Sequence, residues 1–281
     1  MKSSIIGLLA ETSLHPGTGQ TTGVVDLPVA REAATGYPVI VGSSLKGALR
    51  ERAEQSWGRE AERVIEIFGK PEASGAVAVT DARLLLLPVR SLSGHYKWVT
   101  CPYLLERYTR DRLMAGLGES FDIPRPQSNH AVLAGGEGQL FLEELFLEEL
   151  FFEIINVNLA PVIESITPLI YHNTVRERLS EGLAVLTDDE FVYFSRYGLA
   201  VNARNILNDD TKTSENLWYE ETLPPDSLFY ALLMARPGRE GTMDGLQELF
   251  QDSPYLQVGG NETVGQGWCV VSWLTAGGAG Q

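Results

Sequence analysis

Ser43, Ser44, Lys46 and Arg50 form a candidate anion site at the start of a predicted helix. The first N–H groups of a helix have no partner within it, and together with the helix dipole they attract anions. Lys46 lies in the first turn, where the dipole disfavours a cation by up to about 1 kcal/mol, so a bound anion explains its position. The alternative is that a serine caps the helix and that both cations are solvated.

Two residues of the glycine-rich segment before this helix could act on a substrate. His15 and Asp26 could form an acid/base pair, and the carboxylate of Asp26 could also hold a divalent cation. The alternative is that Asp26 is a solvated turn residue and that His15, which precedes a proline, is structural. The other histidines have no partners at the spacing of metal ligands.

A second glycine-rich segment, GGNETVGQGW, directly precedes the last predicted strand. Glycines let a phosphate backbone approach the main chain closely, but they also form hairpin turns into a strand. A dinucleotide-binding fingerprint would follow a strand and open a helix, so this context excludes that motif. The phosphate and turn interpretations both stay open.

Residues 94–112 mix aromatic rings with basic side chains, of which Tyr96 and Lys97 are examples. Such a mixture suits the stacking of single-stranded RNA. The alternative is a loop followed by an amphipathic helix from Thr100, with Tyr108 and two leucines in the core.

The elements that must position these residues follow from hydrophobic periodicity. Apolar residues four apart predict an amphipathic helix over 44–57, and Thr187 with Glu190 forms a capping-box pattern before a helix that ends at Gly198. The remaining predicted helices are 59–68 and 242–251, and the predicted strands are 5–14, 76–87, 228–234 and 268–273.

Strand, helix and strand follow one another near both ends of the chain. This order predicts an α+β fold with a split βαβ, ferredoxin-like sheet and insertions between its halves. The acidic block 137–153 contains LFLEELFLEEL, whose five-residue period fits neither helix nor strand, and it is predicted to be an irregular strand or an edge element. Three stretches lack periodicity and are expected to be functional projections or unrecognised elements: 88–100, 117–138 and 198–222.

The composition limits the class of protein. With 281 residues, 44% of them hydrophobic, the chain can bury a core and is not a disordered protein. The net charge of -15 argues, taken alone, against a nucleic-acid partner. However, residues 1–110 hold 13 basic and 11 acidic residues, whereas 111–281 hold 9 and 26. The acidity therefore lies outside the candidate anion site.

Cysteine usage and hydropathy indicate the compartment. Cys101 and Cys269 are the only cysteines, so the sequence has no disulfide framework and fits a reducing compartment, the cytoplasm. The N-terminal apolar stretch is six residues long, whereas a membrane helix needs about 20. No membrane partner is expected.

Five motifs together resemble one known family. In chain order they are GVVDLPVAREAATGYPVIVGSSLKGALR, VTDARLLLLPVRS, WVTCPYLLERYTRD, LWYEETLPPDSLFYALL and LQVGGNETVGQGW. They resemble the backbone RAMP subunit of type III-B CRISPR effector complexes, the Cmr complex. The resemblance extends from about the first predicted strand to the last.

The resemblance implies a fold and an assembly. The fold would be a single RAMP domain over 1–281, an RRM-like palm with finger and thumb insertions at roughly 88–138 and 198–222. The thumb would lie around 202–218. Copies of the chain would stack into a filament along a CRISPR guide RNA, capped by other Cmr subunits. Complementary single-stranded target RNA would be cut at regular intervals beside each thumb.

The resemblance also implies roles for single residues. Asp26, in GVVDLP, matches the catalytic aspartate of a cleavage that needs a divalent metal ion, Mg²⁺ or Mn²⁺. Asp26 would either bind this metal or help to remove the proton of the attacking 2′-hydroxyl, with His15 as a candidate helper. The residues that match the guide-binding helix and loop are Ser43, Ser44, Lys46, Arg50, Gly259, Gly260, Thr263, Gly265 and Gln266.

Three hypotheses about function follow. The chain is a target-RNA endonuclease whose specificity comes from guide pairing, or a guide-holding scaffold that does not cut. A third interpretation is a guide-processing ribonuclease that uses metal-free acid/base catalysis. Asp26 separates the first two, because a pure scaffold does not need it.

Overall fold

A computed structural model describes residues 2–19, 23–92, 94–143, 149–208, 210–211, 213–276 and 278–280. Within these ranges the fold is a mixed α+β fold. The helices are α1 (Gly42–Trp57), α2 (Glu62–Phe68), α3 (Pro102–Met114), α4 (Ala160–Ile166), α5 (Asn173–Gly182), α6 (Asp188–Tyr197) and α7 (Thr242–Glu248), with 3₁₀ turns at Thr167–Leu169 and Glu262–Val264.

The strands carry most of the architecture. In chain order they are β1 (Ser3–Ala10), β2 (Val39–Ile40), β3 (Gly69–Lys70), β4 (Ala73–Ser74), β5 (Val77–Val79), β6 (Ala82–Ser91), β7 (Tyr96–Thr100), β8 (His130–Leu133), β9 (Gln139–Glu143), β10 (Glu149–Asn156), β11 (Leu183–Val185), β12 (Ala200–Leu207), β13 (Ser214–Thr222), β14 (Leu228–Ala235), β15 (Tyr255–Gln257), β16 (Trp268–Thr275) and β17 (Gly278–Gly280).

The helices predicted from periodicity are present. The apolar positions of α1, spaced by four residues, are buried as Leu45, Leu49 and Ala53. At α6 both bonds of the capping box form, between Thr187 and Glu190, so the helix begins where the sequence predicts. None of the described helices is long and apolar enough to span a membrane.

The main sheet runs in the order β15-β16-β1-β14-β6 at one end. Strand β1 pairs antiparallel with both β14 and β16, and β14 pairs antiparallel with β6. Helix α1 follows β1 in the chain before β6, and α7 connects β14 to β16. The two strand-helix-strand segments therefore interleave in one antiparallel sheet.

Strand β6 belongs to two parts of the sheet. Residues 83–86 pair with β14, whereas 87–91 pair with β7 and β9. Through β7, β11, β8 and β10 the pairing returns to β9 and closes a ring of strands. Much of the region from 88 to 138 therefore consists of strands and α3.

The described ends of the acidic block are strands, because β9 pairs antiparallel with β10. Its central residues, 144–148, lie outside the described residues. For residues 94–112 the amphipathic alternative is correct for the helical half. There Tyr108 is fully buried, and Arg107 pairs with Glu32 (2.6 Å). These side chains lie on the buried face of α3 and are not available to stack on RNA.

Both faces of the main sheet are covered, which explains why every residue of β1 is buried. Successive side chains of a strand point to opposite faces. Ile6 and Leu8 pack in one core cluster with Leu45 of α1, whereas Ile5 and Leu9 pack in a second cluster with other helices. The sheet is thus the rigid central layer of the fold.

A hairpin of β12 and β13 projects from this layer. Most of its residues are exposed up to Leu217, and only the last three residues of β13 are buried. Several exposed side chains are apolar, including Ile206, Leu207 and Leu217, each at least 49% exposed. This hairpin forms the 198–222 stretch, for which the sequence showed no periodicity.

Candidate functional site

Buried Glu221 joins the base of the β12–β13 hairpin to the loop after β1. Its carboxylate is 2.7 Å from Nη2 of Arg31 and accepts a hydrogen bond from the backbone N–H of Val29 (3.0 Å). The backbone N–H of Glu221 also donates to the carbonyl oxygen of Leu27 (2.9 Å). These bonds fix the loop against the hairpin.

Glu220, the preceding residue, is 2% exposed and joins the hairpin to the glycine-rich loop before β16. Its Oε1 accepts a hydrogen bond from Nδ2 of Asn261 (2.5 Å) and lies 3.4 Å from Nη2 of Arg204. Buried carboxylates are stable only with such partners. We call the following set the hairpin junction: His15, Arg31, Glu220, Glu221 and Asn261.

Asp26 lies next to β13, at the edge of the hairpin junction. Its Oδ2 accepts a hydrogen bond from the backbone N–H of Tyr219 (2.8 Å), and the adjacent Leu27 N–H donates to the Tyr219 carbonyl oxygen (3.0 Å). The residue is half-buried. One carboxylate oxygen is thus anchored by the main chain, and Oδ1 has no hydrogen-bond partner among the described residues. A free carboxylate oxygen can accept a proton or bind a cation.

His15 is buried at the centre of the hairpin junction, 6% exposed. Its Nδ1 is 2.7 Å from the carbonyl oxygen of Glu221, and because a carbonyl can only accept, Nδ1 carries the proton. In the described part of the chain no hydrogen bond joins His15 to Asp26. Both are held by β13 instead.

The glycine-rich loop wraps around His15. The N–H of Gly260 donates to the His15 carbonyl oxygen (2.9 Å). Gly259 has a positive φ of 93°, and a Cβ there would lie 2.7 Å from the same oxygen, so only glycine fits. Of the remaining predicted residues, Thr263 and Gly265 are exposed and Gln266 is half-buried, its Oε1 accepting from Asn261 Nδ2 (2.9 Å). The glycine-rich loop therefore forms a turn before β16 and also exposes part of its backbone to solvent.

The start of α1 differs in one respect from the sequence prediction. Val41, not a serine, occupies the N-cap position and makes no side-chain cap. Asp81 supplies the missing acceptor, because its Oδ1 accepts from the N–H of Gly42 (2.6 Å). Ser43 and Ser44 are exposed and do not cap the helix. The alternative in which a serine caps α1 is therefore wrong.

Lys46 and Arg50 have different surroundings, although they lie one turn apart. Lys46 is half-buried and makes no ion pair in the described ranges. Arg50 donates from Nε to Glu54 (2.7 Å) and from Nη1 to the carbonyl oxygen of Gly69 (3.1 Å). The structure thus leaves the Lys46 ammonium available for a ligand and binds much of the Arg50 guanidinium internally.

Sequence reasoning missed four of the five residues of the hairpin junction: the two glutamates, the asparagine and Arg31. Glu220 and Glu221 stand in the motif LWYEETLPP, but consecutive acids normally indicate an exposed segment. Their partners Arg31 and Asn261 are 190 and 41 residues away, respectively, so no local pattern reveals the pairing.

The residues can be tested for their fit to a divalent metal ion. Among the described residues, no group of three or more His, Cys, Asp or Glu side chains is placed to hold one. Asp26 offers one carboxylate beside the hairpin, and those of Glu220 and Glu221 are already paired within the fold. Mg²⁺ often binds through one or two carboxylates together with water and substrate phosphates. The described residues fit that minimal arrangement, but not an all-protein metal site.

Comparison with known proteins decides the family. A model of the RAMP superfamily matches residues 8–270. A curated relative, CRISPR system Cmr endoribonuclease Cmr4 of Pyrococcus furiosus, is 36% identical over 289 residues, covering 97% of this chain and 96% of the relative. The chain belongs to the RAMP superfamily, in its Cmr4 family. The resemblance inferred from the five motifs is therefore confirmed.

Other relatives of this RAMP protein agree. The CRISPR system CMR subunit Cmr4 of Saccharolobus solfataricus is 28% identical and covers 94% of both chains. A crystal structure of oligomeric Cmr4 from Pyrococcus furiosus has a TM-score of 0.76 at 31% identity, covering 99% of this chain and 100% of that one. A type III-B Cmr-beta complex bound to cognate target RNA contains a chain with a TM-score of 0.77 at 22% identity, covering 97% of each chain, which shows the shared fold.

Proposed function

We propose that this RAMP protein binds CRISPR guide RNA as a backbone subunit of a type III-B effector complex and cleaves complementary target RNA within it. The observation that carries the proposal is the anchoring of Asp26 against the projecting hairpin through Oδ2, while Oδ1 has no partner among the described residues. The name of the Pyrococcus furiosus relative, an endoribonuclease, supports the activity. Its oligomeric crystal form supports stacking of copies of the chain. The name of the Saccharolobus solfataricus relative, a CMR subunit, supports assembly with other Cmr subunits.

We infer that β16, β1, β14 and β6, with α1 and α7, form an RRM-like palm of the split βαβ type. The interleaved strand-helix-strand segments and the antiparallel order support this inference. The β12–β13 hairpin is the thumb, and the insertion at 88–138 supplies finger elements. The exposed apolar side chains of the hairpin suit contact with nucleobases.

The guide would be held by backbone and charge rather than by base recognition. Ser43, Ser44 and Lys46 offer hydroxyls and an ammonium at the start of α1. The exposed backbone of the glycine-rich loop, around Thr263 and Gly265, offers N–H groups for phosphates. This arrangement delegates sequence recognition to pairing between guide and target.

Cleavage is proposed to proceed by attack of a ribose 2′-hydroxyl on the adjacent phosphate. The 2′-oxygen bonds to phosphorus, the bond to the 5′-oxygen breaks, and solvent protonates the leaving oxygen. The products are a 2′,3′-cyclic phosphate and a 5′-hydroxyl. Asp26 either accepts the 2′-hydroxyl proton itself, or contributes a metal ligand while solvent water accepts that proton. His15 acts as a positioning residue because it is buried against Glu221.

A divalent ion, Mg²⁺ or Mn²⁺, fits this proposal with Asp26 and RNA phosphates as ligands. When bound, such an ion would neutralise charge that develops on the phosphate. The chain's own contribution is the position of Asp26, set by the Tyr219 N–H.

The test compares Asp26→Ala with Asp252→Ala, an exposed control, in the reconstituted complex. We expect Asp26→Ala to lower target cleavage by about 10²- to 10⁴-fold while guide binding is kept. Target RNA with a single 2′-deoxy position should resist cleavage there. Unchanged cleavage by Asp26→Ala would instead favour the non-cutting scaffold. Cleavage of the guide precursor that persists with a chelator would favour the metal-free processing enzyme.

A further inference from the structure

A groove with three basic side chains lies between α1, the β3–β4 hairpin and the end of β14. Its volume is about 400 Å³. It is lined by Lys46, Lys70, Arg236 and Ser74 above a floor that includes Phe68 and Val77, and no carboxylate is among its described lining residues. We call this site the cationic groove.

The three cations of this groove lack a carboxylate partner in the part of the chain that the structure describes. None of them makes an ion pair with a carboxylate in the described ranges, although Arg239, three residues after Arg236, pairs with Glu66 (2.7 Å). In a chain of net charge -15, acidic partners are abundant. An anion bound in the groove would be attracted by all three charges at once.

The hairpin that carries Lys70 is built tightly. Gly69 has a φ of 87°, and a Cβ on it would lie 2.5 Å from the nitrogen of Gly75 and 2.6 Å from the oxygen of Ala73. Arg50 donates to the Gly69 carbonyl oxygen (3.1 Å). Lys70 therefore extends from a backbone that α1 holds in place. Lys46, which lies on α1, lines the same groove.

We propose that the cationic groove binds phosphates of the guide RNA, with Lys70 and Arg236 extending the contact that Lys46 begins. The inference rests on the proposed function and adds two residues to it. A nucleic-acid strand needs little besides charge, since phosphate contacts supply most of its non-specific affinity. A protein partner would use apolar area. Here Phe68 and Val77 of the floor are buried, 5% and 2% exposed, so the groove offers cations instead.

The test measures binding of the full chain to guide-length single-stranded RNA at several salt concentrations. Each phosphate contact contributes about 0.7 to the slope of log affinity against log salt, so Lys70→Ala with Arg236→Ala should lower the slope by about 1.4. The loss should be equal for two unrelated RNA sequences. Arg239→Ala is the matched control, because its charge is already paired with Glu66 and lies outside the groove.

The outcomes separate the two levels of the proposal. One outcome is that the wild-type chain binds RNA and Lys46→Ala lowers the salt slope, but Lys70→Ala with Arg236→Ala keeps the wild-type slope. In that case the groove inference is wrong and the proposed function stands. A wild-type chain without RNA affinity, alone or in the complex, would overturn the proposed function itself. An unchanged slope with altered self-association in RNA-free solution would show that the groove binds an acidic surface of another copy, which also overturns the inference.

Discussion

The hairpin junction and the cationic groove use charge in opposite ways. In the junction, Glu220 and Glu221 are buried, and every bond described for them leads to another part of the same chain. In the groove, Lys46, Lys70 and Arg236 share one cavity whose described lining residues include no carboxylate.

This difference separates structural charge from ligand-binding charge. A buried carboxylate must find its partners within the fold, because an uncompensated charge in the interior costs several kcal/mol. An exposed cation is solvated by water, so it does not require a partner within the fold and can bind an external anion. Substitutions should therefore act on folding stability at the junction and on RNA affinity at the groove.

The largest effect is expected from Glu221→Ala. The substitution leaves Nη2 of the half-buried Arg31 guanidinium and the Val29 N–H without the Glu221 carboxylate that accepts from them, so the free energy of unfolding should fall by about 3–5 kcal/mol. Denaturant titration of the full chain measures this fall. Target cleavage should fall as well, since the loop that holds Asp26 loses an anchor.

Glu215→Ala is the control for that experiment. Glu215 lies on the same strand but is exposed, with a hydrogen bond from Asn208 (2.7 Å), and its loss should cost about 0.5 kcal/mol. Equal stability of the two variants would contradict the structural role of the junction.

The sequence predicts the central antiparallel sheet and its helices well, but the hairpin junction hardly at all. Helices α1 and α6 follow from local periodicity and a local capping box, and β1, β14 and β16 are long apolar runs. In contrast, β12 and β13 are exposed on both faces along most of their length, so no alternation marks them.

The candidate site is predictable only where its residues are close in the chain. Asp26 and Lys46 stand in recognisable motifs, and the structure places Asp26 beside the hairpin. Lys70 and Arg236 reach the groove through contacts between elements far apart in sequence. Such long-range proximity leaves no trace in spacing or composition.

A second prediction concerns Glu32, another carboxylate that is paired within the fold, here with Arg107. Burial raises the pKa of Glu32, but hydrogen bonds from Arg107 and Thr35 outweigh burial, so the pKa lies below its ordinary value of 4.5. A lowered carboxyl pKa stabilises the folded state above the unfolded value, and this contribution is lost as the pH falls through the folded value. Glu32→Gln should therefore cost about 2 kcal/mol at pH 7 and progressively less in acid.

Denaturant titrations of wild type and Glu32→Gln from pH 7 down to pH 3 measure this difference. Glu51→Gln, an exposed residue of α1, is the control and should change stability little at any pH. A Glu32→Gln difference that stays constant with pH would exclude the carboxylate–guanidinium pair as its cause.

The smallest effect on stability is expected within α1. The contrast between a cation available for a ligand, Lys46, and a cation bonded within the fold, Arg50, is also sharpest there. Lys46→Ala should leave the free energy of unfolding within about 0.5 kcal/mol and lower the salt slope of guide binding by about 0.7. Arg50→Ala removes bonds to Glu54 and Gly69 and should cost about 1 kcal/mol of stability. The double variant should weaken guide binding equally for every RNA sequence tested, because phosphates carry no sequence information. A loss that depended on sequence would mean that this helix reads bases, and the division between structural and ligand-binding charge would not hold there.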